Sequence, residues 1–211
     1  MTLLDPQRGR DPLAILERIR RAPPRPRPGE RCEMCNEKIP DGHEHVVNVE
    51  VRNLMCTCRG CWMLFTTDGA AGGRYRAVPD RYAEIAAFTM ASGTWGSFQI
   101  PVSVAFFFHN SALGKVTAFY PSPAGATESL LELGAWDDLV AGNPLLGTLC
   151  ADVEALLVRW SDEHHDAFIV PIDACYELVG QMRRLWKGFD GGREAKDALE
   201  AFFGDLRARC R

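Results

Sequence analysis

Five of the eight cysteines in this chain lie between Cys32-Glu33-Met34-Cys35 and Cys56-Thr57-Cys58-Arg59-Gly60-Cys61, and this stretch constrains the fold more than any other. A C-x-x-C turn presents two sulfurs from one knuckle. Two such knuckles facing each other across a hairpin supply the four corners of a tetrahedral ion site. The expected ligands are therefore Cys32, Cys35, Cys58 and Cys61, each pair having C-x-x-C spacing. Cys56 rivals Cys58, because Cys56-x-Cys58 also brings a sulfur into reach, and His43 and His45 stand near enough to serve. A closed thiolate tetrahedron suits zinc or iron. Structural zinc is the expectation, with a rubredoxin-like iron centre as the alternative and an iron–sulfur cluster kept open by the extra Cys56. The expected role is structural: the ion supplies folding free energy to a segment with little core of its own. A catalytic zinc needs an open position beside a general base, and no motif marks one.

Reading these cysteines as ligands depends on a reducing compartment. No apolar run approaches the roughly 20 residues that span a bilayer, and the N-terminus lacks the apolar core of a secretory signal. The expectation is a cytoplasmic protein, where clustered cysteines are metal ligands rather than disulfides. Cys150 and Cys175 are expected to pack as small hydrophobes, with Cys210 near the chain end. A formal net charge of −4 argues against nucleic acid as the main partner. Arginines are nevertheless concentrated before Cys32, from Arg8 to Arg31, and read as a solvated arm.

Along the chain, Asp11-Pro12 opens a short helix. Pro23, Pro24, Pro26 and Pro28 end it and form a stiff linker. Residues 1–30 are thus an Arg/Pro-rich arm, 31–73 a four-cysteine zinc module and 74–211 an α+β domain. Within the module, the segment from His45 to Val51 alternates as a strand and Leu54 to Cys56 returns as a second. The second knuckle then leads into a helical turn at Trp62 to Phe65, so the order is that of a zinc ribbon or treble clef. In the larger part, Tyr75 to Val78 reads as a strand and Asp80 to Phe88 as weakly helical. Val102 to Phe108 (VSVAFFF) is a buried strand, paired back by Lys115 to Tyr120. Pro121 to Ser129 reads as a loop, Leu130 to Leu133 as a third strand, Trp136 to Leu149 as an interrupted helix, and Asp152 to Trp160 and Phe168 to Val170 as strands. Two helices follow: one carries Ile172, Tyr176, Val179, Met182 and Trp186, the other Ala195, Leu199, Phe202, Phe203 and Leu206. The fold class is α+β: a small zinc-ribbon or treble-clef-like N-terminal module, then an antiparallel sheet with helices packed on one side.

Other candidate sites are weaker. Ser161-Asp162-Glu163-His164-His165-Asp166 reads as a solvated turn rather than a metal site, and His109 as a strand-end residue. Ser122, Glu128 and Ser129 lack the G-x-S-x-G elbow of a nucleophile. No Walker loop or dinucleotide fingerprint occurs.

The combination C-E-M-C, H-E-H-V-V, C-T-C-R-G-C, I-P-V-S-V-A-F-F-F, Y-P-S-P-A-G-A-T-E-S, D-V-E-A-L-L-V and W-K-G-F-D-G-G resembles an uncharacterised bacterial domain-of-unknown-function family. The likeness runs over nearly the whole chain from Cys32 onward. The members of that family are encoded beside NiFe-hydrogenases of the high-affinity uptake type and their maturation genes. The resemblance implies an accessory role in hydrogenase assembly or operation, with a hydrogenase subunit or maturation factor as partner, and carries over no catalytic residue. The combined expectation is a non-catalytic, zinc-binding scaffold or chaperone. The alternative is an iron-binding electron-transfer or thiol redox protein of the same system.

Overall fold

The computed structural model describes residues 30–91, 93–129, 133–161, 165–188 and 191–210. Residues 1–29 of the N-terminal arm, with its expected helix and proline linker, lie outside them. The described chain is α+β with two antiparallel sheets.

The first sheet has three strands: β1 (Glu44–Asn48), β2 (Asn53–Thr57) and β3 (Tyr75–Ala77), in the order β2-β1-β3. The helical turn expected after the second knuckle is α1 (Arg59–Met63). Val51, expected on a strand, sits exposed in the turn between β1 and β2. The small sheet thus continues past residue 73 through β3. Val47 of β1 and Val78, just after β3, belong to the main core.

The second sheet has six strands: β4 (Ala83–Glu84), β5 (Val104–Asn110), β6 (Lys115–Ser122), β7 (Gly125–Ser129), β8 (Glu154–Trp160) and β9 (His165–Pro171). Their order is β4-β9-β8-β5-β6-β7. The continuous apolar run in β5 follows from burial on both faces. Val104, Phe106 and Phe108 point to one core, Ala105 and Phe107 to another. β8 alternates in the same way, with Ala155 and Leu157 on the first side and Leu156 and Val158 on the second.

The two long helices, α4 (Ile172–Leu185) and α5 (Gly192–Arg209), cover the first face, as the apolar spacing of both segments predicts. The opposite face, which the expectation left open, is covered as well. Phe98 and Ile100, Leu139 of α3 (Leu133–Gly142) and Leu146 of a 3₁₀ turn at Pro144–Thr148 pack there. Before them, Trp95 belongs to α2 (Thr94–Ser97). None of the helices in the described residues is long and apolar enough to cross a membrane.

Three expectations need correction. Asp80 to Phe88 is not helical; it carries the two-residue strand β4, which pairs with β9. Pro121 to Ser129 is the end of β6 plus β7, with the turn confined to Pro123 and Ala124. Cys150 is exposed rather than packed, with its N–H donating to Glu154 Oε2 at 2.8 Å, whereas Cys175 is fully buried as expected. The strand expected at Leu130 to Leu133 falls mostly outside the described residues, and Leu133 opens α3.

The break between α3 and the 3₁₀ turn is held by Asn143, which is 3% exposed. Its Nδ2 donates to Leu139 O at 2.9 Å and Thr89 O at 2.7 Å, and its Oδ1 accepts from Thr89 N–H at 2.9 Å. Asn143→Ala strands the buried Leu139 carbonyl and the part-buried N–H and C=O of Thr89. It is expected to lower unfolding stability by about 2–3 kcal/mol in urea titrations.

Candidate metal centre

Each knuckle is shaped by its own backbone. After Cys32, the chain reverses tightly: Asn36 N–H donates to Cys32 O at 2.8 Å and Cys32 N–H to Glu37 O at 2.7 Å. Asn36 closes this turn at φ 64°, a left-handed conformation that asparagine tolerates better than most residues. In the second knuckle Cys58 caps α1, with Cys61 N–H donating to Cys58 Sγ at 3.5 Å. Glu33 joins the two. Its N–H donates to Cys56 O at 2.9 Å, and its Oε2 accepts from Cys56 N–H at 2.6 Å. The rest of α1 is tied down through Trp62, whose Nε1 donates to Val78 O at 2.8 Å. Arg59 lies over the Trp62 ring and pairs with Glu44 at 2.8 Å.

The result is that the sulfurs of Cys32, Cys35, Cys58 and Cys61 all lie within 4.8 Å of one another. Cys35 Sγ and Cys58 Sγ are 3.7 Å apart. A tetrahedron with Zn–S bonds of about 2.3 Å has edges of about 3.8 Å. The donor set therefore fits a tetrahedral ion in both type and spacing, and it could hold zinc or iron. None of these cysteines is in a disulfide. Cys32 is buried, Cys35 is exposed and the other two are intermediate.

The electrostatics of the cluster point the same way. Burial opposes ionisation of Cys32. Backbone N–H groups at Cys35, Cys58 and Met34, with the Cys35 thiol, outweigh burial and bring the Cys32 thiol down to about 6. Burial and the thiols of Cys35, Cys58 and Cys32 push Cys61 up. Like charges this close cannot all ionise unaided; a divalent cation relieves the repulsion.

The rival ligands do not join this cluster. His43, His45 and Cys56 form a group of their own. Of the acidic turn, Ser161, His165 and Asp166 are described. His165 stacks on Trp160 at 3.6 Å, and Asp166 is buried and paired with Arg159 and Arg207. His109 is exposed on β5. Ser122 Oγ stays within its own turn, donating to Gly125 O at 3.1 Å, while Ser129 Oγ donates to Phe98 O. The hydrogen-bond partner of His45 is beyond the reach of sequence reasoning. That partner, Asp173, is 128 residues away, and no local spacing announces it.

No curated protein and no solved structure matches the chain. A family model does: the family of unknown function DUF5947 matches residues 31–210, which takes in the four cysteines, both sheets and both long helices. The chain is a member of that DUF5947 family.

Proposed function

We propose that this protein is a non-catalytic accessory protein in which a zinc ion held by Cys32, Cys35, Cys58 and Cys61 braces a small module for binding a protein partner. The observation that carries the reading is the convergence of four sulfurs from two knuckles, at tetrahedral spacing. The weakness of the module's own core supports it. Of the buried apolar side chains from residue 31 to 78, Val47 and Val78 belong to the main core, leaving Cys32, Ile39 and Val46. An ion is the natural substitute for that missing burial.

Beside the second knuckle, Met63 and Leu64 are 60% and 66% exposed. Large apolar side chains left in water next to a braced turn suit a contact surface. The family likeness read in the sequence suggests the partner: a cytoplasmic NiFe-hydrogenase subunit or maturation factor.

Elemental analysis of protein from its native host tests the metal, and affinity capture tests the partner. Zinc lost on Cys35→Ser, together with capture of a hydrogenase subunit or maturation factor, supports the reading. Unchanged hydrogenase assembly and activity in a deletion strain overturns the hydrogenase role. Visible absorption from thiolate-bound iron would replace it with the electron-transfer alternative. The double variant Met63→Ser with Leu64→Ser is expected to keep its metal and its fold while weakening capture by about ten-fold or more.

A further inference from the structure

A ring nitrogen of His43, a ring nitrogen of His45 and the Cys56 sulfur lie within 4.8 Å of one another, apart from the four-cysteine cluster. The register of the small sheet brings this about. His45 stands directly opposite Cys56 across β1 and β2. Directly opposed residues carry their side chains on the same face, with Cβ atoms about 5 Å apart. Val47, two residues on from His45, points into the main core, so this face looks toward the start of α4. There Asp173 Oδ2 meets His45 Nδ1 at 2.9 Å. The His43 ring leans against that of His45, centroids 4.8 Å apart, and its Nδ1 meets Pro40 O at 2.9 Å.

Those two hydrogen bonds decide the chemistry. A carbonyl oxygen only accepts, and so does an ionised carboxylate, so both Nδ1 atoms carry the proton. In a neutral imidazole this leaves Nε2 as the lone pair to offer. His43 Nε2 is shut off from solvent and has no hydrogen-bond partner among the described residues. A buried acceptor left bare is costly, and a bound ion removes that cost. An Nδ1–H held by a carboxylate or carbonyl is also the arrangement that orients metal-bound histidines. Asp173 is itself positioned, accepting from Ala174 N–H at 2.8 Å. His43, His45 and Asp173 line an open cleft of about 570 Å³.

We propose that His43, His45 and Cys56 form a second metal site, independent of the four cysteines, for a divalent first-row transition ion of borderline softness such as Zn²⁺ or Co²⁺. Two imidazoles and a thiolate suit such ions. Three protein ligands leave a fourth position for an exchangeable ligand, the pattern of sites that do more than brace a fold. Asp173 acts as a positioning residue. Reading Cys56, His45 and Asp173 as a nucleophilic triad leaves the buried nitrogen of His43 without a role.

The test uses the full chain, reduced, stripped with a chelator and titrated with Co²⁺, with metal content and the visible cobalt spectrum as readouts. Wild type is expected to take up two equivalents. His43→Gln with Cys56→Ser should take up one and keep the spectrum of a four-thiolate site. Circular dichroism checks the fold, and His43→Gln alone serves if the double variant unfolds. Asp173→Ala should reach the same stoichiometry but bind the second equivalent roughly 10- to 100-fold more weakly. Equal cobalt uptake by wild type and by both His43 variants overturns the proposal. A single wild-type equivalent that disappears in Cys61→Ser also overturns it, while leaving the four-cysteine reading intact. A single equivalent that survives Cys61→Ser and disappears in His43→Gln supports the second site and sinks the first.

Discussion

Cys35→Ser or Cys61→Ser is expected to release the ion from the four-cysteine site and to unfold the knuckles locally while the six-stranded sheet stays intact. The asymmetry follows from where the apolar burial lies. The large sheet is covered on both faces by two extensive cores, whereas the knuckles keep little beyond Cys32, Ile39 and Val46. Structural zinc contributes about 10–16 kcal/mol of apparent free energy to isolated finger peptides. Part of that would be replaced here by the anchorage of Val47 and Val78 in the main core. A loss of several kcal/mol from the module is therefore the expected order of magnitude. Hydrogen exchange should show residues 31–66 opening in the variants while β5, β8 and β9 keep their protection. Limited proteolysis should cut first in the same segment, and a strong chelator should reproduce both patterns in the wild type. Metal retained at full occupancy in both variants would mean that other side chains hold the ion.

Asp166→Ala should produce the second large effect, in the body rather than the module. Asp166 lies on β9 directly opposite Arg159 of β8, is 3% exposed, and accepts from Arg159 Nε at 2.7 Å and from Arg207 of α5. Arg159 in turn lies 4.6 Å over the Phe203 ring. The carboxylate thus anchors the last helix to the sheet. Removing it leaves the guanidinium groups of Arg159 and Arg207, 14% and 38% exposed, facing each other with no carboxylate between them. Breaking a buried pair in this way costs about 3–5 kcal/mol, which for a chain of this size is a fall in Tm on the order of 10 °C. Glu200→Ala is the control. Glu200 also pairs with Arg159, at 2.6 Å, but its side chain is 73% exposed. Its loss should cost less than about 1 kcal/mol. Equal effects from the two substitutions would show that burial is not what gives the Asp166 network its strength.

The elements legible in the sequence are those whose signal is local. The run at Val104 to Phe108 is apolar at every step, short and dominated by aromatic residues, which reads as a buried strand. The spacing of Ala195, Phe202, Phe203 and Leu206 is a helical stripe, and those residues are the ones α5 buries. β7 was obscured by its composition. Pro121 lies beyond Phe119, the last residue of β6 with a partner on β5. Its missing N–H is tolerated there as on an edge strand, yet in sequence the Pro/Ser/Gly run reads as a loop. β4 was missed because two residues carry no period, and pairing with Phe168 and Ile169 of β9 is what makes them a strand. The Cys150 misreading has a similar cause: a lone cysteine does not reveal its burial, which depends on neighbours brought in by the fold.

The two side-chain clusters divide along the same line. The sequence by itself determined the four-thiol set, because each C-x-x-C pair is closed by a turn of a few residues and needs nothing distant to orient its sulfurs. Only the tertiary structure decided that His43, His45 and Cys56 stand apart from it. That depends on the β1–β2 register and on α4 delivering Asp173 from 128 residues away. Spacing along a chain specifies what one turn can hold; a contact between strands and a helix exists once the core between them has packed.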